Sequence, residues 1–319
     1  MFNMNVQIFS AAILTATLGS CLAFAQTAAP NPGGALTEAW HSDSVVYVAG
    51  LADVKPGSSG SLSLMQNTVV FANKHAQGSI PIERITAVSI GDERVATGGS
   101  AGKVARVIPM GVGQAMGAVT SKNVGVLTIE YLDQTGGYHG AVFEVPKVQV
   151  ALAQQQFVAH ISPASAVESP SCGGSVVPNT LLVEPIAASG VELPAEYRAL
   201  LYEELVDQLG MSNGASTVYR VGDAAAGCSA RKLQISVTAF KKGNEALRAS
   251  TGPVGLFIGA SSVTFHMTLV DSAGATLFDK SVKASKHGDG DSLSVTRNLA
   301  KNVSKSLAKS KTAGLKPAA

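Results

Sequence analysis

The chain has 319 residues, 46% hydrophobic and 14% charged, with a net charge of +2 and a single tryptophan. That length suggests about two domains, and the balance provides ordinary cores with too little charge for a disordered chain. The near-neutral balance and the 5% aromatic content exclude the basic patch and the stacking platforms of a nucleic-acid binder, so no nucleic-acid partner is expected.

Residues 6–18 (VQIFSAAILTATL) form an apolar run of the length expected for a signal-peptide core. It is too short to span a bilayer as a helix. Ala23-Phe24-Ala25 follows as an A-x-A cleavage pattern, which would place the mature start at Gln26. Leu18-Gly19-Ser20-Cys21 also has the form of a bacterial lipobox, in which Cys21 would be acylated. Both starts imply export and a periplasmic or envelope-associated location. No Lys or Arg occurs before Lys55, so the leader lacks its usual positive charge.

With Cys21 cleaved away or lipidated, Cys172 and Cys228 remain. An even pair in an oxidising compartment is a disulfide candidate. Each precedes an expected strand, at 181–186 and 233–238. If those strands are parallel neighbours, both cysteines lie at one end of a sheet. Two unpaired thiols or an intermolecular bond are the alternatives.

Residues 26–39 are rich in Pro, Gly and small residues and read as a tether. The first module, 40–161, has seven short β-branched or alternating runs at 45–49, 61–65, 68–72, 79–82, 85–90, 124–131 and 139–145. Turn residues separate them, among them Pro56-Gly57, Gln66-Asn67, Gly91-Asp92 and Gly136-Gly137. A closing helix over 147–161 carries Val150, Phe157 and Ile161. Gly60-Ser-Leu-Ser-Leu, Val69-Val70-Phe71, Ile80-Pro81-Ile82-Glu83-Arg84-Ile85, Leu127-Thr-Ile-Glu-Tyr and Gly140-Ala-Val-Phe143, with that helix, resemble a bacterial PH-like or GRAM-like module. The resemblance implies a seven-stranded, half-open barrel that binds proteins or lipid headgroups.

A glycine-rich insert separates the fifth and sixth runs. Gly98-Gly99-Ser100-Ala101-Gly102 fits the G-x-S-x-G nucleophile elbow, which needs a strand before it and a helix after it. The residues around it read as hairpins, so a loop of small residues is the simpler account. Gly111-Val-Gly113-Gln-Ala-Met-Gly117, with Asp133 downstream, approaches a dinucleotide fingerprint but has one residue too many between its last glycines. A nucleotide-binding or hydrolytic enzyme built on Gly98–Gly117 is therefore the alternative function.

Residues 162–179 contain three prolines and five serines and read as a linker. The second module, 180–310, has the expected order β-α-β-β-β-β-α, an α/β sandwich. Its first helix opens at Pro194, buries Tyr197, Leu200, Leu201, Leu205 and Leu209, and stops at Gly210. Phe240-Lys-Lys-Gly243-Asn244, Arg248, Gly252, Gly255, Gly259 and Leu269-Val-Asp271 with Gly274 resemble an uncharacterised family of bacterial envelope proteins and lipoproteins related to curli-assembly and TolB amino-terminal domains. That resemblance implies a periplasmic, structural or assembly-related module without catalytic residues.

Two features suggest partner contact. Gly252, Leu256 and Phe257 lie in an apolar loop that either meets a partner or leads into the next core strand. The last helix carries Val295, Leu299, Val303 and Leu307 on one side and Arg297, Lys301 and Lys305 on the other, either a docked helix with a solvated cationic face or a surface for anionic headgroups. His287-Gly-Asp289-Gly-Asp291 lacks the distal Glu of a calcium loop. No histidine or cysteine spacing suits zinc, so no metal or cofactor is implied. Residues 311–319 read as a disordered tail. The expectation is thus an α+β protein, a PH-like β-barrel with a closing helix followed by a separate α/β sandwich domain. It would be exported, non-enzymatic, and bind an envelope protein or a membrane surface.

Overall fold

Buried and exposed positions alternate along β1 (Trp40–Ala49), β3 (Thr68–Ala72) and β4 (Gln77–Pro81), the pattern of strands with one face on a core. The computed structural model describes residues 38–96, 121–161, 171–211, 215–241, 261–286 and 295–314. With β2 (Ser59–Leu64), β5 (Ile85–Ala96), β6 (Ser121–Leu132) and β7 (Tyr138–Val145), these strands form an antiparallel sheet of order β4-β3-β2-β1-β7-β6-β5.

Tyr47, Phe71 and Phe143 meet on its inner face, with ring centroids 5.7–5.9 Å apart. Helix α1 (Lys147–His160) lays Ala153 and Phe157 onto this core, where Phe157 meets the edge of Trp40. Each such side chain withdrawn from water contributes about 1.5–3 kcal/mol. The terminal strands β4 and β5 are joined by the short 3₁₀ turn Ile82–Arg84 and do not pair with each other among the described residues. The expected PH-like barrel is therefore not found as a closed barrel. The sheet stays open between these two edges.

The second sheet holds β8 (Val177–Val183), β9 (Ala187–Ala188), β10 (Thr217–Arg220), β11 (Ser229–Lys241), β12 (Ser261–Asp271) and β13 (Thr276–Lys286). Its order is β10-β8-β11-β12-β13, with β9 beside β11. β8 is parallel to both β10 and β11, whereas β11, β12 and β13 are antiparallel. The expected strand at 181–186 begins earlier and is interrupted, because Pro185 has no N–H to continue the ladder. Helices α2 (Ala195–Met211) and α3 (Val295–Gly314) pack on this sheet. Gly210 does not stop α2, which runs on to Met211. No helix among the described residues is long and apolar enough to cross a membrane.

The expected turn at Gly91-Asp92 is also overturned. β5 continues through it to Ala96, paired with β6 as far as Ala96↔Ser121. Gly91 lacks a side chain for a different reason: a Cβ there would lie 2.6 Å from Oε1 of Glu196 in α2.

That contact exposes the main departure from two separate units. Residues 199–203 of α2 are buried one after another, too many for a helix covered on a single face. Leu200, Leu201 and Leu205 join the core of the second sheet, and Ala49, Val126, Tyr138 and Val142 of the first sheet belong to that same cluster. α2 is thus a shared middle layer.

Candidate functional site

Glu196, Ala199 and Glu203 recur at helical spacing along α2 and are all buried. Ala199 and Glu203 meet β7 at Gly140. A Cβ at Gly140 would stand 2.5 Å from the Ala199 Cβ, so only glycine permits this approach. The Gly140 N–H in turn donates to Glu203 Oε1 at 2.9 Å.

Arg220, the last residue of β10, closes the site. Its Nη1 donates to Glu203 Oε1 at 3.0 Å and its Nη2 to Oε2 at 2.7 Å, a two-pronged pair. Nη1 also donates to the Tyr138 carbonyl at 3.0 Å, and the guanidinium lies 5.3 Å over the Tyr202 ring. His139 stacks on Tyr131, with Nε2 3.3 Å from Asp133 Oδ2 and Nδ1 3.5 Å from Glu203 Oε1. Asp133 accepts N–H groups from Thr135 and Gly137. Arg198 of α2 pairs with Glu130 of β6, and the Tyr138 N–H donates to the Val221 carbonyl at 2.9 Å.

Burial opposes the charge of Glu203, but His139 and Arg220 outweigh it and hold the carboxyl below its ordinary value. Burial raises Tyr131, Tyr138 and Tyr202 well above the usual phenol range, and Tyr47 to about 12. Asp207, on the exposed rim, is raised first by lost solvation and then by the Glu203 charge.

Of these residues, His139, Glu203, Asp207 and Arg220 line a cleft of about 410 Å³ between α2 and the stretch from Tyr47 to Pro56. Glu203 and Arg220 direct their hydrogen bonds at each other and at backbone groups. Such an arrangement clamps two layers together; a general acid or base needs a proton position open to a reactant.

A second concavity, a groove of about 550 Å³, lies between β13 and α3. Phe278, Val282, Lys280 and Lys283 line it from the strand, and Asn302, Lys305 and Ser306 from the helix. Its cations come from two elements.

The sequence-expected site residues fall as follows. Cys172 and Cys228 are joined in a disulfide, with Cα atoms 4.7 Å apart. β8 and β11 are indeed parallel neighbours, which places both cysteines at one sheet end. On α3, Leu299, Val303 and Leu307 are buried while Lys301 and Lys305 are exposed. Arg297 sits apart from those lysines in function, 3.5 Å from Glu204 of α2.

Cys21, the loop with Gly252, Leu256 and Phe257, and the insert with Ser100, Gly111, Gly113 and Gly117 lie outside the described residues. The strands flanking that insert are nonetheless informative. β5 and β6 are antiparallel neighbours, whereas a dinucleotide fingerprint sits in a parallel βαβ crossover. The fingerprint reading of Gly111–Gly117 thus lacks its parallel frame.

Sequence reading missed the cluster of Glu203, Arg220, His139, Asp133, Glu130 and Arg198. Its one available signal was the pair of glycines in otherwise regular strands, at 91 and 140.

No family model matches the chain, and no curated protein matches it. Among solved structures it is similar to the PelC dodecamer from Paraburkholderia phytofirmans, at 16% identity over 43% of this chain and 92% of that one, with a TM-score of 0.28. It is also similar to a DUF330 protein from Xanthomonas campestris, at 13% identity over 46% of this chain and 88% of that one, with a TM-score of 0.26.

Proposed function

We propose that this chain is an exported, non-enzymatic envelope protein that acts by binding a protein or a membrane surface. The observation that carries the reading is the Cys172–Cys228 disulfide. Such bonds persist in oxidising compartments and are rare in the cytosol. The apolar run at 6–18 and Ala23-Phe24-Ala25 point the same way.

The contact surface in this reading is the cationic side of α3, where Lys301 and Lys305 face solvent. Seven antiparallel strands crossed by α1 support, for the first half, the PH-like binding module that its motifs resemble. The parallel pairing of β8 with β10 across α2 supports an α/β module of the curli-assembly or TolB type in the second half. The envelope address and the partner class are part of the proposal.

Intact mass of the protein recovered from an expressing bacterium tests it. The expected product starts at Gln26 or at a lipidated Cys21, and is lighter by two hydrogens before reduction than after. A product that keeps Met1 and carries free thiols at Cys172 and Cys228 sinks the reading.

A further inference from the structure

We infer that the groove between β13 and α3 is a binding site for a phosphate-bearing anion, supplied by a lipid headgroup or by a soluble phosphate compound. The inference rests on the binding-protein reading above and gives it a ligand chemistry.

Charge is the first ground. The chain as a whole has a net charge of +2. Yet Lys280, Lys283 and Lys305 all line this groove, and the one acid of β13 is Asp279. That acid is already engaged, its Oδ2 lying 3.1 Å from His266 Nε2. Among the described residues, Lys280, Lys283 and Lys305 have no ion-pair partner. Cations gathered on one groove without counter-charges repel one another, and an anion placed between them relieves that repulsion.

The lining is the second ground. Asn302 and Ser306 add neutral hydrogen-bond donors beside the lysines. β13 is the terminal strand of its sheet, so alternate backbone N–H groups on its outer edge lack ladder partners among the described residues. Phe278 and Val282 pack against the core and form an apolar floor. At about 550 Å³ the groove is within the size range of small-ligand sites.

Lysines on an edge strand ordinarily keep other strands from pairing there. That explains Lys280 and Lys283 but not Lys305 and Asn302, which come from the helix. It also argues against an added peptide strand as occupant and in favour of a compact anion.

The test is a ¹⁵N–¹H titration of the purified chain with millimolar inorganic phosphate. Sedimentation with phosphatidylglycerol vesicles and with phosphatidylcholine vesicles runs in parallel. Phosphate should shift the amides of residues 278–283 and 302–306. Co-sedimentation with phosphatidylglycerol alone then assigns the headgroup as source, and shifts without co-sedimentation assign a soluble phosphate. Lys280→Glu/Lys305→Glu should weaken either response at least tenfold, whereas Lys55→Glu/Lys74→Glu, an equal charge change on exposed residues elsewhere, should not. No shift together with no phosphatidylglycerol binding overturns the inference, as does an equal loss in both double variants. Because the titration does not depend on the export assay, either result can fail without obscuring the other.

Discussion

Glu203 and Arg220 carry opposite charges into a largely buried site, and the cost of doing so sets what their mutation should do. Breaking a buried pair leaves one uncompensated charge and destabilises by about 3–5 kcal/mol. We expect Glu203→Gln to cost about that much in chemical denaturation, because Arg220 loses its counter-charge while the shape of the site is kept. The sign with pH follows from the depressed carboxyl. Glu203 stabilises the fold above its ordinary value of 4.5, and that contribution is lost as the pH falls below it through the folded value. The stability gap between the wild type and Glu203→Gln should therefore shrink on acidification. A gap that stays constant between pH 7 and pH 3 refutes the assignment of Glu203 as an ionised clamp.

The contact between α2 and β7 depends on two small residues facing each other. With Gly140 against Ala199, helix and strand approach closely enough for the Gly140 N–H to reach Glu203. Gly140→Ala should push the helix away and destabilise by about 1–3 kcal/mol, as overpacking does. Ala199→Gly in the same chain should recover part of this, although glycine inside a helix itself costs about 1 kcal/mol. Strictly additive losses in the double variant, read by thermal unfolding, would dismiss the close approach as the cause. The disulfide acts on a different element. It ties the segment before β8 to the 3₁₀ turn Ala226–Cys228 before β11, across 56 residues. In the chain-entropy model a loop of that length contributes about 4 kcal/mol.

At the scale of the molecule, α2 makes the two sheets depend on each other. Its leucines complete the core of the second sheet, while Ala199 and Glu203 meet the first. A two-state transition is the expected consequence. Trp40 is the single tryptophan and lies in the core of the first sheet, so its fluorescence reports that sheet alone. Far-ultraviolet circular dichroism reports both. The two denaturation curves should coincide in midpoint and slope; a tryptophan transition displaced from the dichroism transition would mean that the sheets unfold independently.

Much of this architecture was legible in the chain. The seven runs of the first half became seven strands, because alternation and β-branching act over a few residues and need no distant partner. The stripe Tyr197, Leu200, Leu201, Leu205 and Leu209 identified the helix and the face it buries against its own sheet. The two cysteines, each shortly before an expected strand, made the disulfide one of the open alternatives, and the parallel pairing of β8 and β11 decides for it. The other face of α2 could not be read this way. Glu196 and Glu203 look like solvated positions in one dimension, and they are buried only because glycines at 91 and 140, more than fifty residues upstream of them, open space on another sheet. Arg220 and His139 likewise acquire their roles from partners that folding brings near. Local periodicity settles which elements form and which side of each is apolar. Which charges meet, and whether a polar face sees water or a second sheet, depends on contacts between segments far apart in the chain, and tertiary packing alone decides it.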